Sequence, residues 1–398
     1  MSSRNVLVHE KLEQASGVLG EQEVDLWLTL VRETLLTKDP SLDLIAGTYC
    51  AWQSAFLVTA NGDRIAIVGR FDAPNVRDLA AYGDVVAYDE SLAPHLKEAI
   101  ERLDPRTIAL NYSASDAAAD GLTHGMWLVL HDALAGTPYP DRLVSSEGIV
   151  NALRGRKSGE EVRRIRAAVS ETEEIFEGVR AVLRPGLTEL EIAAVMQEEV
   201  ERRGLGYAWG EDHCPAVNAG PGKEVGHSSP SELRIERGQL LHMDFGVVRE
   251  EYASDLQRVW YVLAEGETGP PPEVTQAWGA LWAAMDAGAE ALRPGAIGWE
   301  VDAAARETLV AAGFPEPKYA LGHQLGRSAH DGGTLLGPRW DRYGNAPLGT
   351  VEAGNVFTLE YGTAVEGRGY IGLEEDVLVT EGGVEWLSTP QRDLWLIA

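Results

Sequence analysis

Residues Leu183–Gly204, LRPGLTELEIAAVMQEEVERRG, recur as LRPGAIGWEVDAAARETLVAAG at Leu292–Gly313, a constant offset of 109 positions. The copies share Leu-Arg-Pro-Gly, the Glu191/Glu300 and Ile192/Val301 pairs and the closing glycine. A helical stretch precedes each copy. A β-like run carrying an acid, an aromatic residue and a glycine follows it: Asp244-Phe245-Gly246 after the first, Glu360-Tyr361-Gly362 after the second. A duplicated helix-then-strand unit restricts this part of the chain to two related halves, each presenting an acid from a strand.

At 398 residues the chain exceeds the usual reach of one hydrophobic core, so two domains are expected. The boundary is placed near Leu153 to Lys157, giving domains 1–155 and 156–398. The first reads as mixed α/β. It has a hairpin at Asn61-Gly62 between two β-rich runs and helical pieces at Leu92–Leu103 and Gly125–Gly136. In the second, Ser158 with Glu161 makes a capping box for a helix running to about Leu183, and Thr188 with Glu191 caps another. The expected class is α/β (α+β).

Apolar runs fall short of the ~20 residues that span a bilayer, and the N-terminus lacks a basic region followed by an apolar block. Cys50 and Cys214 are too few for a disulfide framework, so a cytoplasmic protein with buried thiols is expected. A net charge of -28 argues against nucleic acid and anionic membranes as partners, while the same field attracts cations.

Asp244 and Asp255 stand eleven residues apart in HMDFGVVREEYASDLQRVWYV. A turn at Arg249-Glu250 would set them opposite one another, within about 5 Å at Cβ. A turn centred on Gly367 likewise sets Glu360 opposite Glu374. Four carboxylates brought together raise one another's pKa and resist burial, which calls for positive charge between them. Two divalent cations would balance them; an oxygen-rich donor set suits Mn, with Co or Zn as alternatives. His323 in GHQLGRSAHD is the candidate nitrogen ligand, with His330 seven residues on. Asp244-Phe245-Gly246 spells a kinase motif but has no HRD loop or glycine-rich nucleotide loop beside it. Gly220-Pro221-Gly222-Lys223-Glu224 lacks P-loop spacing, and no H-E-x-x-H or G-x-S-x-G occurs.

HMDFG with the later SDLQR, GHQLG, TLEYG and GLEEDVLVT together make the second domain resemble the pita-bread metallopeptidases, from Ser158 to the C-terminus. That family includes methionine aminopeptidases, Xaa-Pro aminopeptidases, prolidases and creatinase. The resemblance implies a pseudo-twofold pita-bread catalytic domain. It also implies five metal ligands, Asp244, Asp255, His323, Glu360 and Glu374, with Asp255 and Glu374 bridging two ions. The preceding domain points to the prolidase, Xaa-Pro aminopeptidase and creatinase branch, with a creatinase-like N-terminal α/β domain. The implied activity is that of an Xaa-Pro dipeptidase, a hydrolase cutting before a C-terminal proline in di- or short peptides. An Xaa-Pro aminopeptidase is the runner-up. A metal-free creatinase-like or binding relative is the rival from another class, and loss of ligands would mark it. Glu360 is implied as ligand and general base, His227 and His330 as substrate and oxyanion contacts, and a homodimer as the assembly.

The chain departs from that pattern at two places. Gly372 stands where prolidases commonly have an arginine, two residues before the last ligand, and His330-Asp331-Gly332-Gly333-Thr334 lacks the arginine often found after the second histidine. Arginine is the natural fork for a substrate carboxylate. Arg327, Arg339, Arg342 or a partner subunit's N-terminal domain are the substitutes to consider.

Overall fold

The computed structural model describes residues 3–221, 226 and 229–398, and the chain divides into two compact units, Met1–Arg154 and Gly155–Ala398. His227 lies outside the described residues. Among the described residues no helix is long and apolar enough to cross a membrane.

The first unit is built on one mixed sheet: β1 (Leu26–Val31), β2 (Ser54–Thr59), β3 (Arg64–Gly69), β4 (Asp84–Tyr88), β5 (Ile108–Leu110) and β6 (Leu143–Ser145). The strand order is β4-β3-β2-β1-β5-β6. β2 and β3 form the Asn61-Gly62 hairpin, with Gly62 at φ +90°. Helices Ala93–Leu103 and His124–Ala133 fall where the sequence places them, the second capped by Thr123. Apolar residues cover both sheet faces, with Trp27 and Phe56 on one side and Leu28 and Leu57 on the other. Burial without alternation along β1 and β2 marks a sheet covered on both faces.

The second unit repeats itself. Helix Gly159–Arg180, which ends three residues before the sequence expectation, is followed by Glu189–Arg203; Pro272–Ala291 is followed by Gly298–Ala311. Both expected capping boxes are present. Gly186 and Gly295 adopt φ +92° and +88°, and Gly204 and Gly313 close their helices at +67° and +90°. The duplication thus extends to backbone conformation.

Its strands are β7 (Gly206–Tyr207), β8 (Ala216–Ala219), β9 (Leu240–Phe245), β10 (Val247–Arg249), β11 (Tyr252–Ala253), β12 (Leu256–Val262), β13 (Val356–Val365), β14 (Gly369–Thr380), β15 (Gly383–Trp386) and β16 (Trp395–Ile397). The main sheet runs β13-β14-β12-β9-β8, with β15 on β14 and β16 on β12. Side chains alternate across a strand. On β13 and β14, Leu359, Tyr361, Ile371, Leu373 and Val377 therefore enter the apolar core with helices Pro272–Ala291 and Gly298–Ala311, while Glu360 and Glu374 point to the other face.

Candidate metal centre

The second-half hairpin has the expected register: Glu360 pairs with Glu374 across β13 and β14. The first-half hairpin does not. Asp244 pairs with Gln257 and Arg249 with Tyr252, so the turn is Glu250-Glu251, one position later than expected, and Asp255 lies diagonal to Asp244. The slip moves the partner by two residues, which preserves the face. Both carboxylates still share one side of the hairpin. Where the ladder breaks, the Asp255 N–H donates to Asp376 Oδ2 at 3.2 Å. The hairpins meet at a single pairing, Gln257 with Glu374.

His323 arrives from a separate segment. Residues 321–325 run beside β13 as an irregular extra strand: Glu360 N–H donates to Leu321 O, Thr358 N–H to His323 O and Leu325 N–H to Val356 O. Gly322 permits this approach, since a Cβ there would come 1.9 Å from Thr358 O. His323 Nε2 then lies 3.7 Å from Glu360 Oε1 and 3.9 Å from both Asp255 Oδ2 and Glu374 Oε1. Asp255, His323 and Glu374 present ligand atoms within 4.8 Å of one another, and Asp244 hydrogen-bonds Asp255. All five residues that the sequence singles out as ligands therefore converge. Glu375, the neighbour of Glu374, points the opposite way into a buried pair with Arg258 at 3.1 Å.

The cluster's electrostatics are unfavourable without a cation. Burial, with a smaller opposing effect from the Asp255 hydrogen bond, holds the Asp244 carboxyl at about 7. Burial and then Asp244 push Glu360 to about 8. Asp255 and Glu374 are driven well above the ordinary carboxylate range by burial and by the neighbouring acids. Burial followed by His330 depresses His323 to about 3, which leaves a neutral imidazole suited to ligation. Asp244 Oδ1 is buried with no hydrogen-bond partner. The 3.7–3.9 Å separations from His323 to the carboxylates are too long for hydrogen bonds. Four oxygen donors, one nitrogen donor and an orphaned buried oxygen fit divalent cations.

His330 is exposed and sits edge-on to His323, with ring centroids 4.2 Å apart. Its neighbour Asp331 is buried against Lys157 Nζ at 3.2 Å, fixing the loop beneath it. The three substitute arginines are committed elsewhere. Arg327 pairs with Glu251 and lies over Tyr252, Arg339 lies over Trp299, and Arg342 bonds Lys318 O and Tyr343 Oη. Both cysteines are free and buried.

Sequence reasoning missed several residues behind the cluster. His242 and Gln257 are buried beside Gly372, Tyr370 lies edge-on to His242, and Tyr319 bonds Tyr370 hydroxyl to hydroxyl at 3.0 Å. The available signal was parity. His242 stands two residues before Asp244 and Gln257 two after Asp255, and such positions share a strand face.

Residues 163–381 match metallopeptidase family M24. An uncharacterized peptidase of Bacillus subtilis, YqhT, is 23% identical over 97% of this chain and 100% of its own. Among solved structures, an X-Pro aminopeptidase from Thermotoga maritima MSB8 is 24% identical with TM-score 0.71, covering 97% of this chain and 99% of that one. An Xaa-Pro dipeptidase from Bacillus anthracis is 20% identical with TM-score 0.74, covering 98% and 100%.

Proposed function

The chain belongs to metallopeptidase family M24 and has its pita-bread fold, and from that premise we propose that it is an Xaa-Pro dipeptidase that hydrolyses the bond before a C-terminal proline. The observation that carries the reading is the convergence of His323 Nε2 with Asp255, Glu360 and Glu374 at 3.7–3.9 Å, beside the orphaned Asp244. The family implies divalent metal ions. Asp244, Asp255, His323, Glu360 and Glu374 would hold two of them, with manganese the first candidate. Ions so held would supply Lewis acidity and lower the pKa of water toward ~7.

Glu360 is the proton carrier. Its side chain is 20% exposed where Glu374 is 3%, so it reaches the open side of the cluster, where a carboxylate can relay a proton. It takes a proton from the attacking water and delivers it to the proline nitrogen, which as a tertiary amide must be protonated to leave. His330, exposed at the rim, stabilises the oxyanion. His227 is assigned to the substrate on the family resemblance. The free, buried cysteines support a cytoplasmic setting, the net charge of -28 argues against nucleic acid and anionic membranes, and the homodimer acting on short proline peptides rests on the family resemblance.

A second reading, an Xaa-Pro aminopeptidase acting on longer peptides, is favoured by Gly372, which puts no guanidinium where prolidases commonly have one to hold a dipeptide's carboxylate. Assaying an Xaa-Pro dipeptide against an Xaa-Pro-Yaa tripeptide with Mn2+ or a chelator decides between them. Dipeptide turnover that exceeds tripeptide turnover and disappears on chelation is expected. Equal or better tripeptide turnover selects the second reading, and activity that survives chelation removes both.

A further inference from the structure

A buried line of polar side chains runs behind Glu374 across β8, β9 and β12. Asn218 Nδ2 is 3.1 Å from His242 Nδ1, His242 Nε2 is 2.7 Å from Gln257 Oε1, and Gln257 Nε2 is 2.8 Å from Glu374 Oε2. The direction of each bond follows from chemistry. A carboxylate oxygen accepts, so the Gln257 amide nitrogen donates and its oxygen must accept in turn. His242 therefore carries its proton on Nε2, and its Nδ1 accepts from Asn218, a tautomer assigned from the network. Every donor points toward Glu374.

Gly372 belongs to the same arrangement. A Cβ at this position would lie 2.2 Å from Gln257 Oε1 and 2.5 Å from His242 Nε2. The volume that a side chain two residues before Glu374 would claim is filled by this pair, so any larger residue here would displace it.

We propose that His242 and Gln257 are positioning residues that hold Glu374 Oε2, turning Oε1 toward His323 and Asp255, and that Gly372 is the vacancy that admits them. This rests on Glu374 being a metal ligand, as under the proposed function. Partners that orient a ligand in this way typically contribute 10–100-fold to metal affinity.

The test titrates Mn2+ into the full chain after chelation and dialysis. Gln257→Leu and His242→Leu should each weaken Mn2+ binding by roughly 10–100-fold, and His242→Gln, which keeps an N–H aimed at Gln257 Oε1, should recover most of the loss. Phe176→Leu, a core change on the opposite face against Phe245 and Trp260, controls for general loosening. Folded leucine variants with wild-type affinity would overturn the proposal. So would an equal loss in Phe176→Leu, or a His242→Gln variant no better than His242→Leu. A metal-free arm reads the His242 imidazole in the wild-type chain by 15N NMR. The Nε2–H tautomer is expected, and an Nδ1–H tautomer overturns the proposal even if the leucine variants fail to fold. Mn2+ binding without Xaa-Pro turnover would sink the substrate reading and leave this inference standing.

Discussion

Four carboxyls buried together without a cation hold protons that the unfolded chain would release, and this gives the metal-free protein a definite pH dependence. Asp244 at about 7 and Glu360 at about 8, with Asp255 and Glu374 also raised, bind more protons folded than unfolded. Their stabilisation is complete below the ordinary carboxyl pKa and is lost as pH rises through 7 and 8. His323 and His242, depressed by burial to about 3 and about 4, act oppositely, adding stability as pH rises toward 6.5, and then contribute no further slope. The melting temperature of chelated protein should therefore fall between pH 6.5 and 8.5. Asp255→Asn, which removes one charge from the cluster, should flatten that slope. A melting temperature that climbs across this window would show that the four carboxyls are not raised in the folded protein. The four acids were legible in the sequence because they recur in a repeated context. Their supports were not: that Gln257 reaches Glu374 depends on which strands become neighbours, and one β12–β14 pairing decides it.

The two hairpins differ in how plainly their turns were written. Gly367 marks the centre of the second, with φ +69°, and the register read from it was correct. In the first, Glu250 and Glu251 occupy the turn at φ +50° and +69°, conformations that hairpin turns normally assign to asparagine and glycine. No residue type signalled the position, so the sequence placed the turn one residue early. Glutamates are held there by charge: Arg163 pairs with Glu250 at 2.5 Å, and Arg164 and Arg327 reach Glu251 at 3.7 and 3.4 Å. The Glu251 carboxylate itself is exposed and its contacts are long, and the buried Arg164 keeps Glu160 and Glu250 O without it, so these contacts contribute about 0–1 kcal/mol, whereas a non-glycine residue in the left-handed region costs roughly 1–2 kcal/mol. Glu251→Gly should thus stabilise the protein by about 0.5–1 kcal/mol, read as a higher urea midpoint with unchanged slope. Mn2+ affinity should stay at the wild-type value, because the β9–β12 ladder and not the turn fixes Asp244 and Asp255. A lower midpoint would mean that the arginine contacts outweigh the backbone strain.

At the scale of the whole chain, each compact unit has its own apolar interior, and all five proposed ligands come from Gly155–Ala398. The last helix of the first unit, Glu147–Gly155, buries Ile149, Val150 and Leu153 in that unit's core, so a fragment ending at Gly155 keeps its interior intact. A cation that binds only the folded second unit stabilises that unit by mass action, about 2.7 kcal/mol at a hundredfold excess over Kd. Calorimetry of the full chain should therefore show one transition that Mn2+ raises by several degrees and one that it leaves in place. The fragment 1–155 should melt at the second temperature with or without Mn2+. Asp255→Asn should abolish the shift while preserving the unresponsive transition. If Mn2+ instead moved the melting of the isolated fragment, the cation would have a site among the first unit's own acids, and the −28 net charge rather than the paired hairpins would account for metal binding.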